Sequence, residues 1–443
     1  MNIDHFDIVV IGAGPAGLRA TQIALSEGMR VALIDDNPRP GGQIWRQGPG
    51  FKTADPLKRW SAQTAMHAGL VQASGARVVA ATGNKRLLVE RDEGPLQVQY
   101  DRLILATGAR ERLLPFDGWT LPGVTGAGAL QALIKGGVDV TGERIVIAGS
   151  GPLLLAAAAT ARQRGAEVVA VCERATLARV LRFGVSLAGV PGKLAQACGL
   201  IRTVGVSRYR TGSVVIAAQG GAKVEAVIVR SNGREESIEC DRVANGCGLV
   251  PNTTLAQALG CELDKHGQGG ILVDARQRTT VDGILAAGEC TGVGGMELAR
   301  AEGAIAAYAA LGIDETTDAR VAQECRVRRR WQRFAARVEQ AFEANASPWP
   351  LPSAHTLLCR CEDISVGTVA RYANWRDAKL HTRCGMGACQ GRICGTAAAS
   401  LFGWRTDGAP DGTAPRPPIS PARIGTLMAA CAEEPLDSGQ HPF

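Results

Sequence analysis

Five cysteines crowd into residues 359–394: Cys359 and Cys361 as a C-x-C pair, then Cys384, Cys389 and Cys394. Four thiolates can hold a [2Fe–2S] cluster, and the same softness and tetrahedral preference also suit zinc. Structural zinc sites usually use C-x-x-C knuckles, whereas this segment opens on C-x-C. Unligated packing cysteines are the third reading. Five thiols compete for four positions. Glycines 385, 387 and 391 lie among them and would free N–H groups to donate to cluster sulfurs, which tunes potential.

The other residues that could do chemistry are glycines. Gly12-Ala13-Gly14-Pro15-Ala16-Gly17 follows an apolar run, Phe6 to Ile11, that reads as a buried strand. Pro15 to Ser26 has a helical pattern, and Arg30 to Ile34 reads as a second strand ending at Asp35. This is the context a dinucleotide fingerprint requires. Gly12 makes the tight turn, Gly14 lets backbone approach a pyrophosphate, and Gly17 lets helix and strand pack closely. The helix N-terminus, at Pro15 and Ala16, then faces the phosphates. Asp35 is placed to accept from ribose hydroxyls. Pro40-Gly41-Gly42-Gln43 follows, and Gly42 and Gln43 could lie against a flat ring system. Tyr100 to Leu105 reads as a strand ending in Ala106-Thr107-Gly108. Gly283 to Ala287 is another, running into Gly288-Glu289-Cys290, and Ala301-Glu302-Gly303-Ala304 opens or continues a helix.

A second unit repeats the layout. Arg144 to Ile147 is a strand, Gly149-Ser150-Gly151 a glycine turn, and an Ala/Leu helix continues to about Arg164. A strand from Glu167 to Val171 reaches Glu173. Leu154 stands where the third glycine would be and should hold the helix farther from the strand. Two readings stay open. The unit could bind NAD, with Glu173 on the ribose and disfavouring NADP, or it could be a retained scaffold without nicotinamide chemistry.

The chain that positions these residues has 443 of them, 46% hydrophobic and 21% charged, enough for two or three domains. The expected division is a first dinucleotide domain from 1–115 and 246–315, an inserted one at 116–245, a helix and linker at 316–356, a cysteine domain at 357–405 and a tail at 406–443. Asn245 to Asn252 reads as the return between the first two. Asp318 to Ala344 is helical in pattern, with Val321, Phe334, Val338 and Phe342 on an apolar stripe, and Ser347 to Ser353 is an extended linker. A helix is expected from about Ser365 to Tyr372 and another beginning near Gly395. The net charge of +7 and the basic stretch Arg326 to Arg333 read as a solvated helix face, since no nucleic-acid motif accompanies them. Thirteen cysteines, none before Cys172, fit a reducing compartment better than a secreted disulfide framework. Asp4 and Asp7 interrupt the start, so no signal peptide is expected, and no apolar run approaches a membrane span. The six histidines form no HExxH pair, and Ala148 occupies the first position of what would be a GxSxG elbow at Ser150.

The order GxGxxG, PGGQ, ATG and a late strand ending in Gly-Glu resembles the flavoproteins of the thioredoxin-reductase and glutathione-reductase type. That resemblance implies an α/β fold of two nested Rossmann-like dinucleotide-binding domains, with FAD in the first. It places the late acidic residue, Glu289, on the ribitol; Asp is usual there. The redox-active cysteine pair of that family has no match, so disulfide reduction is not expected. The cysteine segment is similar to the bacterioferritin-associated ferredoxin type of [2Fe–2S] domain. This similarity implies Cys359, Cys361, Cys389 and Cys394 as ligands, with Cys384 spare or replacing Cys394.

Nearly end to end, PGGQIWR (40–46), GECTGVGG (288–295), CRCEDIS (359–365) and CGMGACQGRICG (384–395) resemble the larger subunit of opine oxidases. Subunits of hydrogen cyanide synthase and of D-hydroxyproline or proline dehydrogenases are similar, and the closing Pro415-Arg416-Pro417-Pro418 fits them too. The resemblance implies an electron-transferring subunit of a heteromeric amino-acid dehydrogenase. Its partners would be a D-amino-acid-oxidase-like FAD subunit, which oxidises the amino or imino acid, and a small ferredoxin-like subunit. An FMN at a subunit interface is a further cofactor it allows. The complex would be cytoplasmic, with room for peripheral attachment at the inner membrane. Two rivals remain: a stand-alone NAD(P)H-dependent reductase, and a scaffold holding an adenine nucleotide.

Overall fold

The computed structural model describes residues 3–264, 269–342, 348–404 and 415–431. The expected helix end at Ala344, Ser347 of the linker and most of the tail lie outside them. The chain first lays down β1 (Ile3–Ile11), α1 (Pro15–Ser26), β2 (Val31–Asp35), α2 (Asp55–Thr64), β3 (Leu70–Ser74), β4 (Arg77–Ala81), β5 (Arg86–Glu90) and β6 (Leu96–Leu105). β1 pairs in parallel with β2 and β6, and β2 with β3. β2 is buried at every position, the mark of a parallel strand covered on both faces. β1 starts earlier than Phe6 because Ile3 to His5 continue the ladder along Gln97 to Gln99. β6 starts at Leu96 because its first half also pairs antiparallel with β5, which in turn pairs with β4.

Next come β7 (Ala109–Glu111), β8 (Val124–Thr125), α3 (Ala127–Lys135), β9 (Arg144–Gly149), α4 (Leu153–Gln163), β10 (Glu167–Glu173), α5 (Leu177–Ser186), α6 (Pro191–Val204), β11 (Tyr209–Thr211), β12 (Ser213–Gln219), β13 (Ala226–Ser231), β14 (Arg234–Glu239) and β15 (Arg242–Gly246). A second parallel sheet runs β11-β10-β9-β15-β8. The antiparallel β12–β14 layer lies against it, Val215, Val227, Val229 and Ile238 packing on Val146, Ala170 and Cys172. The Leu154 side chain is fully buried and lies over Gly246, where an added Cβ would be 3.1 Å from Leu154 Cδ2. At the matching position of the first unit a Cβ on Gly17 would stand 1.8 Å from the Gly12 carbonyl oxygen, a closeness that a leucine does not allow.

β16 (Leu249–Pro251) returns beside β7, and after α7 (Thr254–Ala258) β17 (Ile284–Ala286) joins β6 in parallel. α8 (Met296–Ala310) then crosses α1 so closely that a Cβ on Gly303 would stand 2.2 Å from the Ala16 carbonyl oxygen. α9 (Ala319–Phe342) spans from the first sheet's helices to the second sheet. Arg19 of α1 bonds Glu324 at 3.0 Å near one end, and Phe342 packs on Ala175 at the other. Arg326, Arg329, Arg330 and Arg333 lie on its exposed face, as the charge pattern predicts.

The cysteine segment is built from β18 (Leu357–Cys359), β19 (Ile364–Ser365), α10 (Val366–Val369), α11 (Trp375–Thr382) and α12 (Cys394–Phe402). The helix expected over 365–372 is a single turn, α10, with Ser365 as its N-cap accepting from the Thr368 N–H. α11, capped by Asn374, is not evident from the sequence pattern. α13 (Ile424–Cys431) closes the described chain. Among the described residues no helix is long and apolar enough to cross a membrane.

Candidate functional site

β1 ends at Ile11, and Gly12 turns the chain at φ +108°, with Ala106 directly behind it. The Ala13 N–H donates to the Asp35 carboxylate, which also accepts from the Asn37 N–H at 2.7 Å and the Asn37 amide at 2.8 Å. Asp35 therefore braces the glycine loop at the end of β2. Gly41 donates to the Ala13 carbonyl at 2.8 Å, and Gly42, at φ +56°, lies against Gly14. These glycines pack on the first loop itself. Gln43 accepts from the Arg46 guanidinium at 3.0 Å. Thr107 donates to the Asn252 carbonyl at 2.7 Å, the Asn252 amide donates back to Thr107 at 3.0 Å, and Gly108 sits at φ +65°. With α1 starting at Pro15, the cradle fits the ADP half of FAD: donors and glycine backbone converge where an anion would lie.

Glu289 follows β17, and burial pushes its carboxyl up. Beside it stands a residue whose task no sequence motif announces. Glu302 of α8 is buried and accepts from the Gly288 N–H at 3.0 Å and the Thr291 hydroxyl at 3.4 Å. Burial raises its carboxyl to about 7, with the neighbouring Glu289 charge adding to the effect. The only sequence signal is a Glu among the alanines and glycine of 301–304 in an alanine-rich helix. The folded chain holds this proton more tightly than the unfolded one. Its contribution is thus complete below the ordinary value of 4.5 and disappears as pH rises to about 7. The full span is worth about 3 kcal/mol. Glu302→Gln should flatten that loss, so that urea midpoints at pH 5 and pH 7.5 differ less than in the wild type.

The cysteines converge. The sulfurs of Cys359, Cys384 and Cys394, all buried, lie within 4.8 Å of one another. The Cys394 thiol contacts those of Cys384 and Cys389, and the Cys389 thiol also contacts Cys361, which is exposed. The Cys394 thiol and burial push Cys389 up to about 12, a value a metal would invert by binding the thiolate. β18 delivers Cys359, and α12 begins at Cys394, so a helix N-terminus faces the group. A Cβ on Gly387 would be 2.3 Å from Cys361 Cβ, and Gly385, at φ +84°, packs on Trp375. These two glycines let the loop close over the cysteines. An all-thiolate, partly buried donor set fits an iron–sulfur centre. Of the four cysteines implied by the ferredoxin resemblance, Cys359 and Cys394 lie in the buried trio, Cys389 touches Cys394 and Cys361 touches Cys389, while the third place in the trio is taken by Cys384.

The model of the pyridine nucleotide-disulphide oxidoreductase family matches residues 6–307. The chain belongs to this family. The A-type subunit of opine oxidase from Agrobacterium tumefaciens (strain Ach5) is 30% identical over 98% of this chain and 90% of its own length. The chain is an FAD-dependent oxidoreductase, similar as well to hydrogen cyanide synthase subunit HcnB of Pseudomonas aeruginosa, at 31% identity over 87% of this chain and 90% of that one. The crystal structure of L-proline dehydrogenase from P. horikoshii has the same fold, with a TM-score of 0.67 at 19% identity, covering 96% of this chain and 80% of that one. Every cysteine whose side chain is described is a free thiol.

The second glycine turn of this flavoprotein is engaged by its own chain. Glu173 is completely buried and accepts from the Gly151 N–H at 2.9 Å, the Ala175 N–H at 2.8 Å and the Ser150 hydroxyl at 3.0 Å. Ser150 is also 2.9 Å from the Phe342 carbonyl at the end of α9. The two arginines that follow β10 are committed to the same region. Arg179 donates to the Gln340 carbonyl at 2.7 Å, and Arg174 stacks over Trp349 at 4.0 Å. Phe342 packs edge-on against Phe183, 5.2 Å between centroids. Around this turn, Ser150, Arg179 and Arg174 are engaged by the last turn of α9 and the linker after it, while Glu173 braces its own glycine turn as Asp35 does in the first site. Glu111 has a structural task too: it caps α3, accepting from Gly128 at 2.7 Å and Ala129 at 2.8 Å.

Proposed function

We propose that this chain is the electron-transferring subunit of a heteromeric amino-acid dehydrogenase, of the D-hydroxyproline, proline, opine or glycine type. It would bind FAD at the first site and a [2Fe–2S] cluster at the C-terminal cysteines, with Cys359, Cys361, Cys389 and Cys394 as ligands. The domain division read from the sequence goes with this reading, as does assembly with two partners, one a D-amino-acid-oxidase-like FAD protein and the other a small ferredoxin-like protein. The names of the relatives support it, since those proteins are themselves subunits of an oxidase and of a synthase.

The observation that carries the reading is the occupied second site. A stand-alone reductase needs an open nicotinamide nucleotide site next to its flavin. Here Ser150, Arg179 and Arg174 are held by the end of α9 and the linker after it. Electrons therefore enter from a partner. When bound, FAD supplies a carrier that takes electrons in pairs and releases them singly. The residues of the chain bind and orient it. Gly12, Gly14 and the start of α1 receive the pyrophosphate, Asp35 fixes the loop, and the Thr107–Asn252 latch fixes the flavin-side strand end. Glu302 holds a proton near neutral pH beneath the 288–291 turn.

Anaerobic mixing of the purified flavoprotein with NADH or NADPH tests this directly. The flavin absorbance is expected to persist for minutes, and to bleach when the partner protein and its amino acid are added. Bleaching by NADH alone within a second would overturn the proposed role in favour of the reductase. Recovery of ADP or ATP in place of FAD after denaturation would favour the scaffold.

A further inference from the structure

One side chain joins the two proposed redox sites. Arg110 lies on β7, just past Thr107 and Gly108. Its Nη1 donates to the Pro251 carbonyl at 3.0 Å and to Asn252 Oδ1 at 3.3 Å, the residue that latches Thr107. Its Nη2 donates to the Arg392 carbonyl at 3.3 Å and to Thr396 Oγ1 at 3.3 Å, and its Nε also faces the Arg392 carbonyl at 3.4 Å. Arg392 lies between Cys389 and Cys394, and Thr396 in the first turn of α12. The guanidinium is half-buried and permanently charged. Its planar fork bonds the flavin-side strand end with one edge and the cysteine loop with the other. A lysine cannot reproduce that span, although it keeps the charge.

The same loop is fastened from its other side. Gln390 donates to the Pro418 carbonyl at 3.0 Å and Arg392 to the Ile419 carbonyl. Ile419 is itself buried in the core of the first sheet, and its N–H bonds the Val79 carbonyl at 2.9 Å. The Cys389–Cys394 loop is thus tied to the β7–β16 pair by the Arg110 fork on one side and to the first sheet by the tail on the other.

We propose that Arg110 is a positioning residue for electron passage, clamping the Cys389–Cys394 loop to the flavin-side strand end and setting a fixed positive charge beside the cluster. This rests on the assignment of FAD and [2Fe–2S] made above. A cluster gains one negative charge when one of its ferric ions takes an electron. A neighbouring cation held out of bulk water favours that reduced state.

The experiment compares wild type, Arg110→Met and Arg110→Lys as purified full-length proteins. Flavin, iron and acid-labile sulfide are assayed first, then the cluster midpoint potential is measured by dithionite titration followed by electron paramagnetic resonance. Arg110→Met should keep its cofactors and become about tenfold harder to reduce at the cluster, about 59 mV for one electron. Arg110→Lys should recover most of that shift, which a merely structural contact would not explain. Fully loaded Arg110→Met with an unchanged potential overturns the role of Arg110 and leaves the cofactor assignment standing. Wild-type protein holding zinc and no sulfide overturns the cofactor assignment, and the role of Arg110 with it. If Arg110→Met does not accumulate, Thr396→Val removes one acceptor of the fork and keeps the charge. It should leave the potential within about threefold of wild type, about 28 mV for one electron, and a larger change would overturn the assignment of the effect to charge.

Discussion

Replacing Cys394 with serine should yield a chain that still carries flavin but has lost its iron and its acid-labile sulfide. Cys394 meets three of the other four cysteines of the group. It lies with Cys359 and Cys384 in the buried trio, touches Cys389, and begins α12. Serine keeps the shape and the helix start but offers a hard oxygen in place of a soft thiolate. The first nucleotide site uses none of these atoms, so flavin content should remain near one per chain. The same assay on Cys384→Ser separates two ligand sets. Resemblance to ferredoxin-type domains makes Cys384 the spare, whereas the structure places its sulfur inside the buried trio. Retention of about two irons per chain in Cys384→Ser, with loss in Cys361→Ser, supports Cys359, Cys361, Cys389 and Cys394. The opposite pattern moves Cys384 into the set. Iron and sulfide assays with visible spectra decide it.

The parts of this architecture that the sequence discloses are those encoded locally. α1 is found at the bounds its pattern predicts, Pro15–Ser26, because a glycine turn, a helix-starting proline and an apolar period all agree there. The β9–α4–β10 repeat reads equally well, and so does the gathering of the cysteines. What stays hidden depends on residues far apart in the chain. No local pattern says that the Glu111 carboxylate will cap α3, or that Phe342 will place its carbonyl on Ser150. That the Leu154 side chain packs over Gly246 is hidden because that glycine lies on a strand far along the chain. The β12–β14 layer escapes because β14 is charged at four of its six positions and gives no apolar alternation, and α11 because one asparagine cap is its main signal. Arg110 is an ordinary surface-type residue by sequence. Its meaning arises only when Pro251 and Arg392 arrive on either side of it.

Gly12 and Gly14, two residues apart, should respond to alanine in opposite ways. At Gly12 the backbone has φ +108°, and a Cβ would stand 2.2 Å from the Ala106 carbonyl oxygen. That oxygen belongs to a buried strand end and cannot swing aside. Gly12→Ala must therefore push β1 and β6 apart, and should lose both flavin and fold stability. At Gly14 the backbone is ordinary, φ −78° and ψ −176°, and the nearest atom to an added Cβ is Gly42 Cα at 4.0 Å. The protein itself leaves that space open. In the flavin-bound state the opening is where a pyrophosphate would rest against backbone N–H groups. Gly14→Ala should fold with the apoprotein's stability unchanged, yet bind FAD about 100-fold more weakly, about 2.8 kcal/mol. Flavin-fluorescence titration of the apoprotein gives the affinity, and thermal melts without flavin give the stability. Loss of apoprotein stability in Gly14→Ala would show that the opening serves packing. Unchanged affinity would place the nucleotide elsewhere.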